Sequence, residues 1–361
     1  MTPPTEVTHA DGSEASASEI MLVQPSTMSP ARRVVTGLLR SREFSIFLVL
    51  VAVTVVATAK NENFLFSSDG WRNFLVNPSL LLLLAVGQAV VIITRNVDLS
   101  VGSIMALTAY LTGRLFIDQP GLPIIAVFAI CIIAGAALGL VNGLLVAYFN
   151  VPSLVITLGT LYIYRGIVLS WAGSDRVNAG DMPSDFLSLG NRAILTIPVL
   201  TLISLVVLAA VGYYLHTARG GREFYAIGSD PDAAVLYGLD VRRRVIAAFV
   251  LSGALAGLVG VLYTARYGTV SSGVGSGIEL QAVAAVVIGG VAIFGGSGTV
   301  WGAALGAFLL VTINRALPSL GIEDFWQRAV VGVLILGAIV LDRVLSQRQE
   351  AKLADARELS A

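Results

Sequence analysis

Residues 74–94 read FLVNPSLLLLLAVGQAVVIIT, a run without one acidic or basic side chain. Wound as a helix at about 1.5 Å per residue, it rises roughly 31 Å, enough to cross a hydrocarbon core ~30 Å thick. Lipid offers no partner to backbone N–H and C=O groups, so a crossing segment must satisfy them internally, as a helix does. Comparable runs recur along the chain. Spans are expected at 44–59, 74–94, 99–117, 122–147, 152–171, 195–215, 245–265, 279–295, 300–317 and 326–343. Glycines and short polar breaks interrupt the third, fourth and eighth. The fold class that follows is an all-α, polytopic integral membrane protein with about ten transmembrane helices.

Composition agrees. The 361 residues are 56% apolar and only 13% charged, with zero formal net charge. A soluble domain carries about a quarter charged residues. The neutral balance argues against nucleic acid as a partner, since phosphate binding needs a basic surplus. The single cysteine, Cys131, sits inside an apolar run, and the two histidines are His9 and His216. That inventory supports no disulfide framework, no metal centre and no catalytic constellation. No cofactor is expected.

Lys and Arg mark the cytoplasmic side of a membrane protein. Arg32, Arg33, Arg40 and Arg42 precede the first span. Arg219, Arg222, Arg242, Arg243 and Arg244 follow the sixth, and Arg343, Arg348, Lys352 and Arg357 follow the tenth. Ten spans place all three clusters on one side, so both the N- and the C-terminus are expected in the cytoplasm. Residues 1–35, rich in Ser, Thr, Pro and Ala, lack the basic start and apolar core of a cleaved signal, and read as a disordered cytoplasmic tail. The membrane domain is expected over 36–345, with a cytoplasmic tail at 346–361.

Glycines spaced by four occur at 135, 139 and 143, at 253 and 257, and at 298, 302 and 306. Small faces let helix backbones approach closely. Packing within the chain is the preferred role for all three sets; a subunit interface is the alternative.

The longest internal polar segment, 216–244, contains GSDPDAAVLYGLDVRRR (228–244). Asp230 is placed to cap a helix and Pro231 to open it. Asp232 sets negative charge on the positive helix end, and Gly238 supplies a left-handed stop. The helix between is about two turns long, too short to persist in water alone. It offers Ala233, Ala234, Leu236 and Tyr237 as contact surface. An ordinary solvated loop explains the arginines equally well, but not the capped helix.

This segment resembles the coupling loop of ABC importer permeases, with Asp232-Ala233-Ala234 standing where that class usually has Glu-Ala-Ala. Three further stretches agree: RNVDLSVGSIMALTAY (95–110), VPSLVITLGTLYIYRGIVL (151–169) and GIELQAVAAVVIGGVAIFGGSGTVWGA (277–303). Together they resemble permeases of the ribose-type carbohydrate uptake group, in the manner of the autoinducer-2 and rhamnose branch. The resemblance runs from about residue 44 to 343. It implies an importer of a sugar or sugar-like solute in the bacterial inner membrane. It also implies a second permease, identical or related, a cytoplasmic ABC ATPase subunit and an extracytoplasmic sugar-binding protein. The chain has no G-x-x-x-x-G-K-[ST] loop, so it is not expected to be an enzyme, and ATP hydrolysis falls to the partner.

A few polar groups fall near or within the spans and are candidates for the translocation path. Asp98 lies in NVDLSVGS beside Ser100 and Ser103. A carboxylate there is costly and commonly functional. It is open to three roles: a cap on the third helix, which is preferred, a partner for Arg95, or a path residue. Arg165, inside the fifth span, either snorkels to the outer face or pairs internally with a group such as Glu279. Asn142, Ser153, Thr157 and Thr160 suit a weak, hydroxyl-lined route, and each equally suits a helix–helix hydrogen bond. The polar outer loop 172–192 is expected either to cover the outer mouth, to contact a docking protein or simply to connect. A stand-alone transporter driven by an ion gradient is the alternative function. It would need ionisable groups at the midplane, and those are nearly absent.

Overall fold

The computed structural model describes residues 42–149 and 151–323, with scattered residues between 326 and 340. These belong to a compact unit that begins at Arg40. The tails 1–35 and 346–361, and most of the expected tenth span, lie outside the described residues.

Twelve α-helices are described. The long ones are α1 (Arg42–Lys60), α2 (Ser68–Ile93), α3 (Val101–Asp118), α4 (Ile124–Phe149), α5 (Ser153–Ala172), α7 (Val199–Thr217), α10 (Val241–Tyr267) and α12 (Val300–Ser319). The shorter ones are α6 (Ser184–Asn191), α8 (Arg219–Ser229), α9 (Pro231–Leu236) and α11 (Ile278–Ile288). Seven, all the long ones except α3, are long and apolar enough by themselves to cross a membrane. The third expected span is α3, which carries Arg114 and Asp118 in an i,i+4 pair at 2.8 Å.

The opening run of sequence forms the centre. The α2 helix is capped by Ser67, which accepts from Gly70 N. Nearly all its residues from Val76 to Ile93 are buried, against α7, α10, α11 and α12. A helix apolar all round is one surrounded on all sides.

The glycines set how closely helices approach. A Cβ on Gly139 would lie 2.2 Å from the Phe249 carbonyl oxygen, and one on Gly253 2.3 Å from that of Gly135. Gly143 meets Ile246 and Gly257 meets Cys131 in the same way. So α4 and α10 pack backbone to backbone within one chain. Gly302 and Gly306 pack likewise against Gly289, which caps the end of α11, and Ala285 within it. Gly298 falls outside that face: it precedes α12 with φ 118°.

The expected eighth span, 279–295, is corrected. Only Ile278–Ile288 is helical, eleven residues rising about 16 Å, half the hydrocarbon thickness. Glycines 290, 295, 296 and 298 all take positive φ, and glycines 275 and 277 do so on the other side. Such backbone does not continue a helix. Irregular backbone at membrane depth is tolerated only where protein or a water-filled cavity surrounds it.

The loop 172–192 is more than a connector. Val177 pairs with Val270 as a β-bridge. Val177, Met182 and Phe186 are buried with Phe116, Val127 and Ala265. Behind it, a hairpin pairs Ala193–Ile194 with Ile197–Pro198, so α7 begins at Val199 rather than at 195.

Candidate functional site

Two regions hold most of the polar groups singled out from the sequence: the end of the bundle that carries the arginine-rich segment, and a break near mid-bundle between α2 and α3.

At the basic end, α9 has the expected termini. Asp230 accepts from Asp232 N at 3.1 Å and from Ala233 N at 3.0 Å, and Pro231 opens the helix. Gly238, at φ 77°, closes it, with Leu239 N donating to the Ala234 carbonyl at 3.0 Å. Its faces are unequal. Leu236 and Tyr237 are 87% and 86% exposed, whereas Ala234 is 4% exposed. Ala234 therefore anchors the helix inward rather than standing among its outward residues, and the outer face is formed by Leu236, Tyr237 and the exposed Val235.

The preceding residues, read as loop from the sequence, form α8, an amphipathic helix whose Phe224 and Ile227 are buried. Glu223 on it accepts from Arg244 at 2.6 Å and pairs with Arg219 at 3.2 Å. Arg242 stacks over Tyr148, with its guanidinium carbon 5.3 Å from the ring centre. Asp240 caps α10 by accepting from Arg243 N at 3.0 Å. Two of the three consecutive arginines thus clamp α10 to its neighbours. Glu223 and Asp240 were missed from sequence; a signal lay in the apolar spacing of Phe224 and Ile227, which matches a helix.

Near mid-bundle, Asp98 is fully buried. One carboxylate oxygen accepts from Ser100 N at 3.0 Å and Ser100 Oγ at 2.6 Å; the other accepts from Ser252 Oγ at 3.0 Å. Ser252 is the twelfth of the 27 residues of α10, near its middle. Gln88, its amide turned to satisfy both partners, donates to the Asp98 carbonyl at 3.0 Å and accepts its N–H at 3.1 Å. Asn142 donates to Ser100 Oγ at 2.7 Å and accepts from the Tyr164 hydroxyl at 3.3 Å. Ser103 Oγ donates to the Ser100 carbonyl at 2.8 Å. The expected cap is thus displaced: Asp98 holds the N–H of Ser100, the residue that precedes the first turn, and ties α3 to α10. Arg95 is not its partner, since the guanidinium reaches the carbonyls of Gly228 and Ser229. Gln88, Ser252 and Tyr164 were missed. A lone Gln inside the run 74–94 was the available signal.

The other candidates divide into two groups. Ser153 Oγ accepts from Val97 N at 3.0 Å, and Thr157 donates to the Val97 carbonyl at 3.1 Å. Thr160 donates to the Thr157 carbonyl at 3.3 Å. With Asn142, these are buried between helices of the same chain. Arg165 is half-buried and donates to the carbonyls of Ser272 (3.3 Å) and Val274 (2.6 Å). It thus pins the irregular segment before α11. Glu279, half-buried in the first turn of α11, accepts from Gly277 N at 3.1 Å. Its second carboxylate oxygen is buried without a hydrogen-bond partner. Arg165 and Glu279 do not come within salt-bridge distance. Among the described residues no cluster of His, Cys, Asp or Glu could hold a metal ion.

A substitution series at Asp98 separates packing from charge. In Asp98→Asn the amide oxygen still accepts from Ser100, and the Ser252 hydroxyl turns to accept from the new NH₂. Uptake and membrane abundance are expected to stay within about threefold of the parent, a loss under roughly 0.7 kcal/mol. Asp98→Leu strands three donors, each costing about 1–3 kcal/mol when buried unpaired. Abundance in the membrane, read by immunoblot, is expected to collapse. Normal abundance with complete loss of uptake in Asp98→Asn would instead make the charge itself essential.

The described residues thus form a polytopic helical bundle with a half-length helix, a buried polar cluster between α2 and α3 and an outward-facing capped helix at its basic end. The chain belongs to the family described as branched-chain amino acid transport system / permease component, whose model matches residues 71–339. The chain is 38% identical over 311 residues to the "Autoinducer 2 import system permease protein LsrC" of Enterobacter sp. (strain 638), covering 86% of this chain and 89% of that protein. It is 38% identical over 310 residues to the protein of the same name from Klebsiella pneumoniae, with 86% and 89% covered. To the "D-allose transport system permease protein AlsC" of Escherichia coli (strain K12) it is 32% identical over 305 residues, with 84% and 93% covered. No solved structure matches the chain. It is a multi-pass protein of the bacterial inner membrane and a permease component of the ribose-type ABC importer group.

Proposed function

We propose that this permease, energised by a separate cytoplasmic ATPase, carries a sugar or sugar-like solute inward: a pentose, a deoxyhexose such as rhamnose, or autoinducer-2. The names of its relatives, for autoinducer 2 and for D-allose, support a small, polyhydroxylated solute. A second permease, identical or related, completes the membrane unit, and an extracytoplasmic binding protein delivers the solute.

The observation that carries this reading is α9. A six-residue helix held by its own caps, with Leu236 and Tyr237 almost wholly exposed at a basic end, is a contact surface awaiting a partner. Residues 230–238 dock into the ATPase and move with it. The solute path runs beside the broken eighth span, where Glu279 and Arg165 are the half-buried charged groups. Asp98, Ser100, Ser103, Asn142, Ser153, Thr157 and Thr160 hold the walls of that path in register.

The reading requires ten crossings, counting α11 with its irregular flanks and the segment 326–343, and both termini in the cytoplasm. Reporter fusions test it directly. Fusions at residue 230 and at the C-terminus are expected to report cytoplasm, and one at residue 180 the outside. An outside signal from residue 230 would overturn the orientation and the docking reading together.

A further inference from the structure

Arg95 stands in the left-handed region, at φ 64°. That backbone costs a side-chain-bearing residue about 1 kcal/mol or more and costs glycine almost nothing. The side chain is engaged: Nε donates to the Gly228 carbonyl at 2.6 Å, and a terminal nitrogen donates to the Ser229 carbonyl at 2.5 Å. These are the last two residues of α8, where helix carbonyls lack partners and the helix dipole favours a cation. Ser229 is followed at once by Asp230, the cap of α9.

The contact is closed on a third side. Gly296 N donates to the Ile93 carbonyl at 3.0 Å. A Cβ on Gly228 would fall 1.7 Å from that same oxygen and 2.5 Å from Gly296 N. The ends of α2 and α8 and the loop after the half-helix α11 therefore meet backbone to backbone at Gly228, while the Arg95 side chain reaches across the exposed side of the junction.

From that junction the chain runs directly to the mid-bundle break. Only Asn96 and Val97 separate Arg95 from Asp98, three Cα steps with a reach of about 10 Å when extended. Both backbone groups of Val97 are bonded to α5, through Ser153 and Thr157. Both backbone groups of Asp98 are bonded to Gln88. The segment is tied at each step and has little slack.

We propose that Arg95 is the positioning residue that carries motion of α8 and α9 into the mid-bundle break. Residues 95–98 act as a short strap between the ATPase-facing helix and the start of α3. The inference rests on the docking reading of α9. Shifts of about 1–2 Å at helix interfaces are typical of such transmission, and a strap this short passes them on.

Arg95→Gly is the informative variant, because glycine suits the backbone and only the guanidinium tie is lost. The assay uses the tagged full-length chain purified from its native membranes with its bound ATPase activity. A reporter thiol is placed by Asn96→Cys, the native Cys131 being buried. Maleimide labelling is timed with and without ATP and vanadate. With Arg95 present, ATP–vanadate is expected to change the labelling rate at least about threefold. With Arg95→Gly the rate is expected not to respond, while ATPase activity still co-purifies, and Arg95→Lys falls between. An unchanged response in Arg95→Gly, or no response even with Arg95, overturns the strap. Loss of co-purifying ATPase in Arg95→Gly also overturns it, by reducing Arg95 to a support of the docking surface. Failure of ATPase to co-purify with the parent chain instead sinks the docking reading itself.

Discussion

Replacing Leu236 and Tyr237 together by Asp is expected to abolish co-purification of ATPase activity with the permease, while the protein keeps its abundance and its melting temperature in detergent. Both side chains project from the fold, so their removal costs the isolated chain almost nothing: surface substitutions stay within about 0.5 kcal/mol. In a docked complex they would be the buried anchors, and truncating such an anchor costs about 2–4 kcal/mol, a thirtyfold loss or more. The contrast is Ala234→Glu. Because Ala234 is packed inward, that substitution forces a carboxylate into the α9 anchor and is expected to lower stability as well as coupling. Retention of the ATPase by the Leu236/Tyr237 double variant would remove α9 as the docking element.

The second large effect is expected at the α4–α10 seam. A side chain at Gly139 meets the Phe249 carbonyl and one at Gly253 meets that of Gly135, and backbone cannot step aside as a flexible side chain does. Gly139→Val or Gly253→Val is expected to cost about 3 kcal/mol or more, the upper range for overpacking. Protein should fail to accumulate, or should melt well below the parent in detergent. The matched control is Gly166→Ala on α5, where a Cβ meets nothing within 4 Å. There the better helix propensity of alanine, up to about 1 kcal/mol, leaves stability unchanged or improved. Tolerance of valine at Gly139 would show that the two helices separate far more readily than their contact implies.

These two regions differ in how far the sequence reveals them. The termini of α9 are local chemistry. Asp230, Pro231 and Gly238 act on backbone groups within four residues, so they are legible without the fold. The membrane class is legible for the same reason, since a long apolar run is a property of one segment. Which face of α9 turns outward is not local. Ala234 and Leu236 are both acceptable on either side, and only the packing against the bundle buries one and exposes the other.

Inside the membrane the usual pattern fails for a physical reason. A helix in water shows its buried face by contrast with a polar one, but in lipid both faces are apolar and the period carries little information. The run at 74–94 therefore declared a span without declaring that it is the central one. The eighth span looked continuous because its apolar residues run through Ile288 to Phe294. The interruption comes from glycine backbone at positions 289–298, whose conformation is set by Gly302, Ile93 and Ser229 pressing on it. Asp98 was visible as an expensive carboxylate, yet its partner Ser252 lies 154 residues away. Arg95 likewise finds its carbonyls 133 and 134 residues on. A multi-pass membrane chain with a capped helix at its basic end follows from the order of residues, because those signals lie within single segments. The tertiary structure alone decided which polar groups meet at the break and which side of α9 remains free, because those choices depend on contacts between residues far apart in the chain.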